Sequence, residues 1–191
     1  MSDRADRFTV VLDANVLASA LGRNLALSLA EAGLFRPRWT NDILDETERA
    51  IAKITQDPDT AKRQRERIAE AFPEACIDGH QMFIASLKLK DPDDRHVVAA
   101  AIRTRAGIIV TENRRDFDPE TLEALDIQCL RLDDFVADII DLAGPEAVAA
   151  LRTMRERFKH PGMTAEAFVR RLEAKGLVNT ATLLEEYAAL L

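Results

Sequence analysis

Four acidic side chains stand where apolar segments of this chain give way to polar sequence: Asp13, Glu46, Asp94 and Asp116. Asp13 closes the run Val10-Val11-Leu12, Asp94 lies in Asp91-Pro92-Asp93-Asp94-Arg95, and Asp116 follows Ile108-Ile109-Val110-Thr111. Carboxylates far apart in sequence but gathered at one end of a sheet can hold a hard divalent cation. Mg²⁺ or Mn²⁺ takes oxygen ligands and keeps several waters, so few carboxylates are needed for each ion. Such an ion activates a water and neutralises charge building on a phosphate. Each acid also has a plainer use. Asp91, Asp93 and Asp94 suit a helix start, where carboxylates cap free N–H groups; Glu46 alone is a helix-surface residue and Asp116 a loop acid. Asp13 is different, because an acid ending a buried strand must be paired, solvated in a cleft or bound to a cation.

The elements that must position these acids follow from the hydrophobic pattern. Residues 9–12 are β-branched and apolar and read as a buried strand. Helical period covers 15–31, with a break near 22–24 and a stop at Gly33. A short strand at 38–40 precedes a helix capped by Asn41, whose apolar stripe is Ile43, Leu44, Thr47, Ala50, Ile51 and Ile54, with Glu46 beside it. Pro58 opens a helix that runs to about 72. Residues 82–89 fit either a strand or a short helix. Asp91 begins a helix that buries Val97, Val98, Ala101 and Ile102 and stops at Gly107. A strand at 108–111, a short helix at 119–125 and a strand at 127–132 lead to a helix capped by Asp133 or Asp134 and ended by Gly144-Pro145.

This alternation predicts an α/β three-layer sandwich with a central parallel sheet over residues 1–143. Helices alone follow, at 146–158, 164–175 and 179–191, and predict a C-terminal helical extension over residues 144–191. An open sheet of this kind binds ligands outside the carboxyl ends of its strands, where the acids fall.

Composition narrows the classes. A chain of 191 residues can bury one full core, and 47% hydrophobic with 31% charged residues excludes a disordered chain. No apolar stretch approaches the roughly 20 residues that span a bilayer. The opening Met1-Ser2-Asp3-Arg4-Ala5-Asp6-Arg7 has no secretory core behind it, which predicts a cytoplasmic protein with no membrane partner. Cys76 and Cys129 belong to no metal or redox motif and read as small buried apolar residues. His80, His96 and His160 are scattered, which argues against zinc. No Walker loop, dinucleotide fingerprint, nucleophile elbow or zinc-protease helix competes with carboxylate chemistry.

The formal net charge of -7 argues against a nucleic-acid partner in bulk terms. Acids collected for a cation lower that total, however, and bound ions restore positive charge locally. Of the basic clusters, the run Lys62, Arg63, Arg65 and Arg67 reads as a solvated helix face. Arg114 and Arg115 flank the acids and are the candidate contacts to nucleic-acid phosphates.

Taken together, Val11-Leu12-Asp13-Ala14-Asn15-Val16-Leu17, the acid Glu46 on the next major helix, Asp-Pro-Asp-Asp-Arg-His-Val-Val-Ala-Ala-Ala at 91–101 and Ile109-Val110-Thr111 before Asp116-Phe117 resemble a PIN domain. Among PIN proteins the chain is most similar to VapC-type toxins of bacterial toxin–antitoxin pairs. The resemblance covers about residues 8–140. It implies a Mg²⁺- or Mn²⁺-dependent endoribonuclease held in check by a cognate antitoxin protein, in a family where homodimers are common. It also implies Asp13, Glu46 and Asp94 as the catalytic, metal-binding acids, with Thr111 and Asn15 supporting them. Many PIN domains carry an acid where this chain has Asn113, which can bind a cation through its oxygen but adds no negative charge. Asp116 is placed to compensate, making Asp13, Asp94 and Asp116 the expected ligand set, while Glu112 is expected to point away. Two other readings fit the same residues. One is a PIN nuclease for RNA maturation without an antitoxin; the other is a catalytically silent scaffold that binds a partner through its helical tail.

Overall fold

The apolar run Thr9–Leu12 forms the central strand β1 of a computed structural model that describes residues 8–89, 91–159 and 162–191. The opening seven residues and His160 lie outside the described residues. Helices α1 (Ala14–Ala18) and α2 (Ala20–Glu31) lead to strand β2 (Arg36–Arg38). Helices α3 (Asn41–Thr55), α4 (Pro58–Ala71) and α5 (Gln81–Ile84), a 3₁₀ turn at Pro92–Asp94 and α6 (Arg95–Thr104) return the chain to β3 (Ile108–Val110). A 3₁₀ turn at Arg114–Asp116 and α7 (Pro119–Glu123) precede β4 (Gln128–Leu130). Helices α8 (Leu132–Leu142), α9 (Gly144–Glu156), α10 (Ala165–Ala174) and α11 (Val178–Glu186) complete the chain.

All strand pairings are parallel and the strand order is β2-β1-β3-β4, with Val11 opposite Arg38 on one side and Ile109 on the other. The chain leaves β1 to one side for β2 and crosses back to β3 on the other. Right-handed crossovers in opposite directions put their helices on opposite faces of the sheet. The three-layer α/β architecture follows, and the reversal of order between β1 and β3 opens a crevice at their carboxyl ends. Asp13 sits at its lip, its N–H donating to the Val110 carbonyl at 3.0 Å.

Several boundaries differ from the sequence pattern, each for a local reason. The first helical stretch breaks at Ser19, where the hydroxyl accepts the Gly22 N–H at 3.2 Å, and Gly22 lies inside α2. Thr40, not Asn41, caps α3 by accepting the Ile43 N–H. The ambiguous stretch at 82–89 yields the short helix α5. Arg105, not Gly107, supplies the left-handed residue that ends α6. Asp133 and Asp134 both lie inside α8, whose N-cap is Arg131. Asp133 caps a different helix: its carboxylate accepts the Asn179 N–H at 3.0 Å and the Thr180 N–H at 2.8 Å at the start of α11. Both cysteines are half-buried rather than fully enclosed.

One apolar cluster runs through the molecule, from Leu12, Leu17 and Val97 to Leu151, Phe168 and Leu184. The C-terminal helices therefore share the core of the sheet, and Phe35 before β2 meets Phe135 of α8 edge-on at 5.0 Å. The two outer strands differ. On β2, Pro37 has no N–H to offer and the Arg38 guanidinium covers the Pro37 carbonyl at 3.0 Å, which blunts that edge. No comparable cover is found on β4 among the described residues.

Candidate metal centre

Asp13 is held from several sides. Its carboxylate accepts the Ala14 N–H at 2.7 Å, the Asn15 side-chain amide at 2.6 Å and the Thr111 hydroxyl at 2.7 Å. The Thr111 oxygen in turn accepts the Asn15 amide at 2.9 Å and the Asn113 N–H at 3.0 Å, and the Asn15 carbonyl accepts the Glu112 N–H at 3.0 Å. Three long-range bonds thus tie the end of β1 to the end of β3, and three local ones hold each end in shape. Glu112 turns away toward α8, 3.3 Å from the Arg131 guanidinium and from the Leu132 N–H.

Asp94 and Asp116 come together with a third acid. The carboxylate oxygens of Asp91, Asp94 and Asp116 lie within 4.8 Å of one another, the one such group of three metal-binding side chains among the described residues. Sequence reasoning gave Asp91 only a capping role, and it does cap, accepting the Asp93 N–H at 2.9 Å. Its proximity to Asp116 depends on the arrival of the turn after β3, which no local pattern encodes. Asn113 donates its amide to Asp116 and so orients that carboxylate.

Glu46 stands apart from this trio, on α3. It lies 3.4 Å from His96 Nε2 and 3.9 Å from Arg49. His96, 8% exposed, donates from Nδ1 to the Asp93 carbonyl at 2.6 Å, which leaves Nε2 aimed at Glu46. Sequence reasoning assigned His96 no role; its position two residues after Asp94 and opposite a helix acid was the available signal. Arg114 and Arg115 are exposed on the turn that carries Asp116. In the run at 62–67, Arg65 is engaged elsewhere, on Asp45 at 2.7 Å and on Glu48 at 3.5 Å.

The electrostatics show how crowded the acids are. Burial pushes Asp94 up to about 6, helped by repulsion from Asp13, Asp116 and Asp91. Burial likewise raises Asp13 above the usual carboxylate range, against the pull of its bonds from Thr111 and Ala14, while Glu46 adds repulsion and His96 relieves part of it. Burial alone would lower the His96 imidazole, but Glu46, the Asp93 carbonyl and Asp13 outweigh it and leave it raised. An all-oxygen set of acids with this much unrelieved negative charge suits a hard divalent cation.

A family model described as PIN domain matches residues 9–115. The chain belongs to the PIN-domain family. The match takes in β1, the helix that carries Glu46, Asp94 with its neighbours, and the strand-end Thr111. A second model, described as VapC50 C-terminal domain, matches residues 132–186, the span of α8 to α11 that follows the PIN domain. A Mycobacterium tuberculosis (strain ATCC 25618 / H37Rv) protein named "Putative ribonuclease VapC50" is 37% identical over 76 residues, which is 40% of this chain and 45% of that protein. The aligned part thus spans less than half the length of this relative. No solved structure matches. No helix among the described residues is long and apolar enough to cross a membrane.

Proposed function

We propose that this PIN-domain protein is a Mg²⁺- or Mn²⁺-dependent endoribonuclease and the toxin of a cytoplasmic toxin–antitoxin pair. The observation that carries the reading is the trio Asp91, Asp94 and Asp116 beside Asp13, at the crevice where the strand order reverses. Asp94 and Asp116, with Asp13 and Asp91 beside them, would hold the ion. A bound ion supplies Lewis-acid chemistry, activating a water and neutralising charge on the cleaved phosphodiester.

The protein's own part is positioning. Thr111 and Asn15 fix the Asp13 carboxylate in one orientation, and Asn113 fixes Asp116. Glu46, outside the trio and facing the His96 imidazole at 3.4 Å, is the candidate to take a proton from the attacking water. Arg114 and Arg115, on the same turn as Asp116, are the candidate phosphate contacts. The ribonuclease name of the Mycobacterium tuberculosis relative and the C-terminal match to its domain favour RNA and an antitoxin partner over other phosphodiesters and a free-standing enzyme. We read residues 1–143 as the nuclease and the helices after residue 143 as the extension, with a homodimer as the family-typical assembly.

The test is cleavage of a total RNA pool by the purified chain with Mn²⁺ or Mg²⁺, read by end sequencing, against EDTA and Asp94→Asn. Discrete cuts that vanish in both controls support the nuclease. A silent scaffold is the second reading, favoured by the neutral Asn113 at a position where an acid would complete the charge. It predicts neither cuts nor any rise in melting temperature on adding the ion.

A further inference from the structure

Beside the acids, between the turn Arg114–Asp116, α7 and β4, lies a hollow of about 480 Å³. The buried side chains Phe117, Leu122 and Ile127 form its apolar floor, and Arg114, Glu123 and Asp126 stand exposed around it. Gln128 N–H donates to the Gly107 carbonyl at 2.8 Å, and the Leu130 carbonyl accepts the Thr111 N–H at 2.9 Å. Residues 128 and 130 therefore turn their backbone groups toward β3. Cys129 between them, which also lines the hollow, turns its N–H and C=O out along the open edge of the sheet. Arg114 lines the hollow and sits on the same turn as Asp116, so the hollow and the acids are neighbours.

We propose that this hollow is a nucleobase subsite for the RNA strand being cut. A neighbouring donor and acceptor on an edge, above an apolar floor, match a flat base that presents its own paired acceptor and donor. The volume falls in the range of small-molecule sites. Proteins read RNA in this way from single strands, whose unstacked bases can be splayed into a pocket. Arg114 lies on the side nearest the acids and takes the adjoining phosphate. Glu123 and Asp126 repel phosphate but accept hydrogen bonds from exocyclic amino groups. Adenine, guanine and cytosine are therefore favoured over uracil.

The inference rests on the nuclease reading for its substrate, but the two can fail separately. The probe is each of the four nucleoside 5′-monophosphates, titrated into the full chain in EDTA and followed by backbone amide resonances. The expected result is a shift of the Cys129 and Gln128 amides by the three amino-bearing nucleotides, with uridine monophosphate at least threefold weaker. No movement of the Cys129 amide with any nucleotide overturns the subsite, and equal response to uridine monophosphate overturns the roles of Glu123 and Asp126. As a second measurement, Cys129→Phe fills the hollow and should change the base preference beside the cut in end-sequenced RNA; an unchanged preference overturns the proposal. Amide shifts without any RNA cleavage by the wild-type chain would sink the nuclease reading and leave the subsite standing.

Discussion

Replacing Asp94 by Asn should make the metal-free protein more stable while sharply weakening its response to the ion. Asp94 rises from the ordinary 3.8 to about 6 because burial and three neighbouring carboxylates oppose its charge. Between those two values the folded chain binds more protons than the unfolded one. Stability therefore falls as pH rises through that window and stays lower above it. For a fully enclosed group a displacement of this size corresponds to about 3 kcal/mol. Asp94 is half-buried, and water screening reduces the figure to about 1–1.5 kcal/mol. In EDTA at pH 7.5 the Asp94→Asn chain should melt about 2–6 °C higher than wild type, given roughly 2–4 °C per kcal/mol for a domain of this size. At pH 4 the wild-type carboxyl is itself protonated in the fold, and the gap should close. Mn²⁺ at about a hundred times its Kd should stabilise wild type by about 2.7 kcal/mol and the variant by much less. Thermal melts of both chains at the two pH values, with and without the ion, measure all four quantities. A variant less stable than wild type in EDTA at pH 7.5, or one stabilised equally by the ion, would refute the argument that these acids form a charge-strained cation site.

Other parts of the structure make their own predictions. Thr111→Val keeps the shape but removes a donor to Asp13 and an acceptor for Asn15 and Asn113; we expect a loss of about 1–3 kcal/mol in urea unfolding and a 10- to 100-fold lower cleavage rate. Asp133→Ala strips the start of α11 of its cap and leaves the N–H groups of Asn179 and Thr180 without their acceptor, which should cost about 1–3 kcal/mol, with hydrogen exchange rising first in α11. His96 is raised by Glu46 in the fold, so the stability it contributes is complete below its unfolded value of about 6.5 and is lost as pH climbs through the higher folded value. The destabilisation caused by His96→Leu should accordingly be larger at pH 6 than at pH 9, as read from chemical denaturation at both.

How much of this was legible in the sequence depended on whether the partner was near. The strand Thr9–Leu12 could be read because its apolar run ends in an acid, and the start of α4 because Pro58 is pre-set for a first helical turn. Ser19 and Thr40 were missed because Gly22 and Asn41 offered equally good local signals close by, and only tertiary packing chose between them. Asp133 was assigned to its own helix, since nothing in its neighbourhood points 46 residues ahead to Asn179. The acids at 13, 46, 94 and 116 could be collected as a set, but the pairing of Glu46 with His96 and the inclusion of Asp91 depend on how α3 and the turn after β3 meet α6. Arg105 in the left-handed region shows the same limit at small scale, because the glycine two residues later looked like the natural stop.

The bond from Thr111 to Asp13 spans 98 positions of chain, and Asp116 lies further on still. During synthesis the central strand and its acid leave the ribosome long before the strand that completes the crevice has been made. A parallel sheet built from such distant pairings forms late, after most of its loop-closure entropy has been spent. A growing chain released or cleaved anywhere before β3 lacks the second half of the site, so the proposed nuclease activity cannot arise until the sheet has closed.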